Sequence, residues 1–160
     1  MEAEAGWRIS SHRSRFLEML HSGTDLKIIK ERDMPLVRID IKRNTDASYA
    51  KRLGKVVYDS MKAAINVPDH DNFQVLAEHD DDHFVFDTTY LGINRSDGVV
   101  FIQITLNEGR STDQKKLLYK TIAEGLNREV GVRLEDVFIN LVEVKKENWS
   151  FGSGIAQYAS

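Results

Sequence analysis

The sequence contains the same short pattern twice, which restricts the fold more than any other feature. Arg43-Asn-Thr-Asp46 resembles Arg110-Ser-Thr-Asp113, with a numbering offset of 67 residues. Val67…Asp71-Asn-Phe73 resembles Val132…Asp136-Val-Phe138, with an offset of 65 residues. Each copy is one supersecondary unit that is too small to bury its own apolar face, so both must pack around a common core.

The first copy predicts a strand, a helix and a second strand. Residues 36–41 alternate apolar and polar side chains, which is typical of a strand buried on one face. Residues 47–66 carry an apolar stripe at helical spacing, formed by Tyr49, Leu53, Val56, Val57, Met61 and Ala64. Thr45 is the predicted N-cap, and Pro68 ends the helix because the residue before a proline avoids helical geometry. A strand follows near residues 73–78.

The second copy repeats this order. Residues 99–106 are strongly apolar and predict a central strand, and Ser111 or Thr112 caps a helix that runs to about residue 129. Its predicted buried stripe consists of Leu117, Leu118, Ile122 and Leu126. Gly131 closes that helix, and the fourth strand is Val137–Val144. The predicted fold is therefore an α/β (α+β) sandwich with a four-stranded sheet and two helices on one face. Its helix-free face and edges favour oligomerisation.

Residues 1–33 differ from the rest of the chain in their pattern of apolar residues. They show no sustained period of 2 or 3.6, and they lack the apolar segment of about 7–15 residues that a signal peptide requires. We interpret them as a poorly ordered leader, or as an extension that is not normally translated. Residues 34–160 then form the domain, with repeats at about 35–98 and 99–160.

Composition excludes several classes of protein. The chain has 22 Lys and Arg against 25 Asp and Glu, a net charge of −3, which argues against a nucleic-acid partner. It has no cysteine, so disulfides and thiol catalysis are excluded. No apolar run approaches the roughly 20 residues of a membrane helix. We expect a cytoplasmic protein with no membrane partner.

Two local patterns need a structural interpretation. His79-Asp-Asp-Asp-His83 looks like a metal cluster, but carboxylates also gather in polar turns, so we predict a turn here and no metal. A short return segment opens at residues 84–86. Gly152-Ser-Gly154 has no strand–helix context and does not predict phosphate binding.

Pro35 directly follows Met34, so Pro35 could be the amino-terminal residue of the mature protein. An initiator methionine is removed when a residue as small as proline follows it, so translation from Met34 would leave Pro35 as a free secondary amine. The reference pKa of an α-amino group is about 8, and burial or a nearby cation lowers it. Such an amine abstracts or donates protons, or attacks an aldehyde. The alternative is that Pro35 merely opens an edge strand.

Several motifs resemble one family in their order and spacing. They are Met34-Pro-Leu-Val-Arg-Ile-Asp-Ile, Asn66-Val-Pro-Asp-His-Asp-Asn-Phe-Gln74, Leu91-Gly-Ile-Asn-Arg-Ser96, Glu108-Gly-Arg-Ser-Thr-Asp-Gln-Lys-Lys and Asn148-Trp-Ser-Phe-Gly-Ser-Gly-Ile-Ala-Gln-Tyr158. Together they resemble the tautomerase superfamily. The second half is similar to 4-oxalocrotonate tautomerase, and residues 35–160 resemble malonate semialdehyde decarboxylase more closely.

The resemblance implies a homotrimer with Pro35 as the catalytic group. It implies that Asp71 activates water or orients the proline, and that Arg110 binds the substrate carboxylate. Asp71 could instead be a turn residue, and Arg110 could pair with Asp113 on the surface. A second arginine of the family falls at Glu108, which is either a solvated neighbour or a second acid.

The resemblance also implies an apolar pocket wall of Trp149, Phe151 and Tyr158, with Tyr158 where phenylalanine is usual. The alternative is that Trp149 and Phe151 are core or interface residues. The expected function is tautomerase or hydratase chemistry on a small oxo acid, with no cofactor. Malonate semialdehyde decarboxylation is the alternative reaction. A non-catalytic trimeric binding protein is the alternative if Met1 is the true start, because the Pro35 nitrogen is then an amide.

Overall fold

The computed structural model describes residues 34–159, and both predicted repeats are present there. The first consists of strand β1 (Leu36–Lys42), helix α1 (Tyr49–Ile65) and strand β2 (Phe73–His79). The second consists of strand β3 (Val100–Asn107), helix α2 (Thr112–Val130) and strand β4 (Val137–Val144). These residues belong to one compact unit, Arg32–Ser160. The prediction for residues 1–33 lies outside the described residues.

The four strands form one mixed sheet in the order β2-β1-β3-β4. Within each repeat the two strands are parallel, and the repeats join through the antiparallel pair β1–β3. The prediction that residues 99–106 form a central strand is confirmed. The alternative that Pro35 opens an edge strand is wrong, because β1 lies between β2 and β3.

Both helices cover the same face of the sheet, as predicted. Alternate residues of β1 and β3 point to this face and are buried, and they meet a buried stripe from each helix. The stripe of α2 is Leu118, Ile122 and Leu126. Leu117 does not belong to it, because it lies about 100° around the helix from Leu118 and is 50% exposed.

The ends of the helices show which capping predictions hold. Ser111 caps α2 in a reciprocal capping box with Gln114, and Gly131 ends that helix in the left-handed conformation with φ of 81°. Thr45 does not cap α1, whose N-cap position is Ser48. Asp46 accepts hydrogen bonds from the backbone nitrogen and hydroxyl of Ser48, at 2.9 and 2.7 Å. Because of this local turn, α1 begins only at Tyr49.

The helix-free face is partly covered by the chain itself. Residues 84–86, the predicted return segment, form no strand. Instead Phe84 is buried and packs against Phe101 with ring centroids 4.9 Å apart. Leu36, Phe73, Val75 and Phe138 remain exposed elsewhere on this face. Within residues 34–159, no helix has the length and apolar character that a membrane span requires.

Candidate functional site

The strand register gathers the candidate residues at one end of the sheet. Leu36 at the start of β1 pairs with Phe73 at the start of β2 and with Thr105 near the end of β3. Asn107 at the end of β3 pairs with Val144 at the end of β4. Residues that precede β1 and β2 therefore lie at the same end as those that follow β3 and β4.

Pro35 and Asp71 precede the two strands that start at this end. Pro35 is buried and stands directly before β1. Asp71 is 3% exposed, and its backbone nitrogen donates to the carbonyl oxygen of Pro68 at 3.4 Å. The structure therefore contains the turn after Pro68, and an aspartate as deeply buried as Asp71 is nearly always paired.

The repeat provides a structural counterpart for Asp71. Asp136 occupies the equivalent position, 65 residues later, and is also buried. Its carboxylate accepts hydrogen bonds from the backbone nitrogen and the hydroxyl of Ser96, both at 2.6 Å. In the second repeat, the buried aspartate thus holds the turn directly ahead of the first strand of that repeat.

Arg110 and Glu108 follow the end of β3. The Nη1 atom of Arg110 donates to the carbonyl oxygen of Asn107 at 2.8 Å, so the guanidinium folds back onto the end of the strand. The backbone nitrogen of Glu108 donates to the carbonyl oxygen of Val144 at 3.0 Å, and its side chain is exposed. Glu108 is therefore solvated, which favours its interpretation as a solvated neighbour of the site over its interpretation as a second acid.

The three predicted aromatic residues form one cluster. The rings of Trp149 and Phe151 stack at 5.5 Å between centroids, and Phe151 meets Tyr158 edge-on at 5.0 Å. Gln157 fixes the intervening loop, because it accepts from the Phe151 nitrogen at 2.9 Å and donates to the Gly152 carbonyl oxygen at 3.0 Å. Phe151 is 37% exposed, so this cluster is a surface wall rather than core.

Asn107 is a residue that the sequence analysis missed. It is 1% exposed, and its Oδ1 accepts a hydrogen bond from Trp149 Nε1 at 2.8 Å. Asn107 therefore connects the aromatic cluster to Arg110. The available signal was a polar residue at the end of an apolar strand, directly before Glu108-Gly-Arg110.

Side chains of the turn at residues 79–83 make polar contacts with residues of β1. His79 Nε2 lies 2.6 Å from Asp40 Oδ1, and Asp81 lies 3.3 Å from Lys42 Nζ. Burial raises the pKa of Asp40, but its hydrogen bonds to Arg38 and His79 outweigh this effect and hold the pKa below its usual range. Across residues 34–159, no group of three or more His, Cys, Asp or Glu side chains has an arrangement that could hold a metal ion.

Comparisons with known proteins agree with this architecture. Two family models, both described as tautomerase enzyme, match residues 35–100 and 71–152. The Bacillus subtilis (strain 168) protein named probable tautomerase YusQ is 41% identical over 124 residues, covering 78% of this chain and 98% of that relative. Probable tautomerase YrdN of the same organism is 34% identical over 125 residues, covering 78% of this chain and 96% of the relative.

Solved structures give the same result. FG41 malonate semialdehyde decarboxylase inhibited by 3-bromopropiolate has a TM-score of 0.71 at 33% identity, covering 77% of this chain and 93% of that one. A fused 4-OT symmetric trimer shares the fold, with a TM-score of 0.64 at 18% identity and coverage of 78% and 98%. Fold and relatives define an isomerase-like enzyme. The chain belongs to the tautomerase family, as its resemblance implied.

Proposed function

We propose that this protein, when its polypeptide begins at Pro35, is a tautomerase or hydratase of small oxo acids that uses the proline amine as its acid–base group. The observation that carries the proposal is that the family match begins at residue 35, where a buried proline heads an internal strand. A secondary amine with a pKa near neutrality abstracts a proton when neutral and donates one when charged.

Arg110 binds the substrate carboxylate in this proposal. A guanidinium presents a rigid fork of donors that matches the two oxygens of a carboxylate. The 2.8 Å bond to the Asn107 carbonyl oxygen supports this role, because it fixes the guanidinium at the sheet end that Pro35 heads. Trp149, Phe151 and Tyr158 then form the apolar side of the pocket.

Asp71 orients the proline amine or a water molecule. The internal repeat supports this role, since the equivalent carboxylate of Asp136 bonds to the turn directly ahead of β3. The pairing of Phe73 with Leu36 puts Asp71 and Pro35 at the same end of two neighbouring strands. A neighbouring carboxylate stabilises the ammonium form of an amine and thus raises its pKa.

Malonate semialdehyde decarboxylation is the second candidate reaction. It is favoured by two solved malonate semialdehyde decarboxylases that are 33% and 32% identical to this chain. Against it stands Glu108, an anion where the family has a second arginine. Decarboxylation needs the departing carboxylate held out of plane, and a nearby carboxylate repels it. We therefore place tautomerase or hydratase chemistry first.

The proposal is tested by comparing two forms of the protein that differ only in the start of the polypeptide. Among the described residues, the buried core lies between Val37 and Val132, and protein expressed from Met34 retains all of these residues. This form, beginning at Pro35, should catalyse ketonisation of phenylenolpyruvate. The full chain, in which the Pro35 nitrogen is an amide, should be about 10²–10⁴-fold slower, the usual contribution of a general acid–base group.

Pro35→Ala in the short form is the matched variant, because alanine leaves a primary amine in the same place. We expect kcat to fall strongly while KM changes less. Equal activity of the short and full-length forms, or a loss below about tenfold in Pro35→Ala, would refute proline catalysis.

A further inference from the structure

Asn107 holds a hydrogen-bond donor that neither the fold nor the proposed roles above use. The indole nitrogen of Trp149 can only donate, so the amide atom that it contacts at 2.8 Å must be the oxygen of Asn107. The other amide atom, Nδ2, is buried and makes no hydrogen bond to any part of the chain that the structure describes. Buried amide groups are nearly always satisfied, and exceptions require an explanation.

The position of Asn107 points to a ligand. Alternation along β3 puts its side chain on the helix-free face, because Leu106 points into the core. It lies at the sheet end headed by Pro35, and its backbone oxygen binds Arg110. Bonds to Trp149 and Arg110 hold this residue on both sides, so its remaining donor is presented in a fixed geometry.

We propose that Asn107 Nδ2 donates a hydrogen bond to the carbonyl oxygen of a 2-oxo acid whose carboxylate is bound by Arg110. This inference rests on the proposed function and specifies its substrate class. In a 2-oxo acid the carbonyl and carboxylate groups are on adjacent carbons, which suits donors from two residues that are close in space, since Arg110 Nη1 donates to the backbone oxygen of Asn107. A 3-oxo acid places its carbonyl oxygen one carbon further away.

The same donor would assist the chemistry. In ketonisation, the enol oxygen loses a proton to water, the neighbouring carbon gains one from the Pro35 ammonium, and water reprotonates the amine, so the net composition is unchanged. Negative charge develops on the oxygen between these events. A preorganised donor aimed at that oxygen stabilises the transition state, and loss of such a donor lowers kcat by about 10²–10³-fold.

The test compares two ligands that differ only in the oxo oxygen. Phenylpyruvate and 3-phenylpropionate share the carboxylate and the ring, so the ratio of their dissociation constants isolates the contact to the carbonyl. Titration calorimetry on protein beginning at Pro35 gives both constants without requiring turnover. We expect the wild type to prefer phenylpyruvate by about 2- to 12-fold, the range for one neutral hydrogen bond.

Two variants remove the donor in different ways. Asn107→Asp keeps an acceptor for the Trp149 indole, and Asn107→Leu removes the donor without adding a charge. In both variants, the ratio of the dissociation constants of the two ligands should fall to about 1. The kcat for phenylenolpyruvate should fall about 10²–10³-fold. Thermal melting checks the fold, and Trp149 emission checks the local structure. Trp149 is the only tryptophan in this form, since the chain has 2 and the other is Trp7.

Controls separate substrate binding from support of the aromatic cluster. Trp149→Phe removes the bond that orients the amide but keeps Nδ2, so it should lower the preference for phenylpyruvate less than Asn107→Leu does. Asn94→Asp adds the same charge at an exposed loop position and should leave the ratio unchanged. If Asn107 only supports Trp149, the reverse holds: Trp149→Phe loses the preference and Asn107→Asp keeps it.

The outcomes distinguish this inference from the proposed function. If the wild type shows no turnover but prefers phenylpyruvate over 3-phenylpropionate, and this preference depends on Asn107, the proposed function is overturned and the inference is supported. If the wild type turns over phenylenolpyruvate but the folded variants Asn107→Asp and Asn107→Leu keep the preference for phenylpyruvate, only the inference is overturned. Failure of the wild type to bind phenylpyruvate, or equal binding of both ligands, also overturns it.

Discussion

Arg110 is the residue whose assigned role has the clearest kinetic consequence. Arg110→Ala should raise KM for phenylenolpyruvate, because the variant loses charge-assisted hydrogen bonds to the carboxylate. Such a bond contributes about 1.5–3 kcal/mol, which corresponds to a loss of roughly 10- to 150-fold in kcat/KM. Arg110→Lys keeps the charge but not the forked guanidinium, so its KM should lie between those of the wild type and Arg110→Ala. Steady-state kinetics that show an unchanged KM in Arg110→Ala would contradict carboxylate binding.

Glu108 is the residue on which our choice between the two candidate reactions depends. Glu108→Arg restores the second cation that the family resemblance implies, so it should increase kcat/KM for malonate semialdehyde decarboxylation relative to phenylenolpyruvate ketonisation. The measurement is the ratio of the two kcat/KM values in wild type and variant. A wild type that already prefers decarboxylation, or a variant that does not improve it, would show that our interpretation of Glu108 is wrong.

At the scale of single elements, the two helix starts provide a matched pair. The Ser111 side chain accepts from Gln114 in the cap of α2, whereas the Ser48 side chain makes no capping bond at α1. Ser111→Ala should therefore lower the free energy of unfolding by about 0.5–2 kcal/mol. Ser48→Ala should cost less. Urea denaturation at one fixed protein concentration tests this, and equal losses would contradict the assignment.

Local patterns predicted the elements because burial is periodic in each of them. Alternation along β1 and the stripe of α1 are both visible in consecutive residues, and Ser111 and Gly131 mark the two ends of α2 through short-range hydrogen bonds. The repeat then required that both units share one core. These features depend on neighbours in sequence, so one chain without any comparison was sufficient to predict them.

The errors arose where tertiary contacts or a competing local bond decide the structure. The packing of Phe84 on Phe101, 17 positions later in the numbering, was not predicted. Thr45 is displaced as a cap by the turn that Asp46 makes with Ser48. Asn107 was missed because its partner Trp149 is 42 residues away. Such a pairing becomes visible only when the ends of β3 and β4 are brought together.

At the scale of the whole molecule, the helix-free face predicts assembly into a homotrimer. Val75 is 47% exposed on this face, and the number of three subunits is the one that the family resemblance implies. Sedimentation of the wild type should give a trimer, and Val75→Glu should shift it to smaller species, because burying an unpaired carboxylate is unfavourable.

Leu117→Glu is the control for the assembly prediction. Leu117 is equally apolar and 50% exposed, but it lies on α2, on the helix-covered side of the sheet. This variant should remain trimeric. A monomeric wild type, or dissociation of both variants alike, would contradict assembly through the helix-free face.

The central claim is that Pro35 works as a free amine, and this depends on where the natural polypeptide begins. The match to the tautomerase family starts at residue 35, and the B. subtilis relative YusQ is covered over 98% of its length by 78% of this chain. The most direct measurement is the intact mass of the protein purified from its native locus. We predict the mass of residues 35–160, with Pro35 unmodified at the amino terminus. A mass that includes residues 1–33 would contradict the account, because the Pro35 nitrogen would then be an amide.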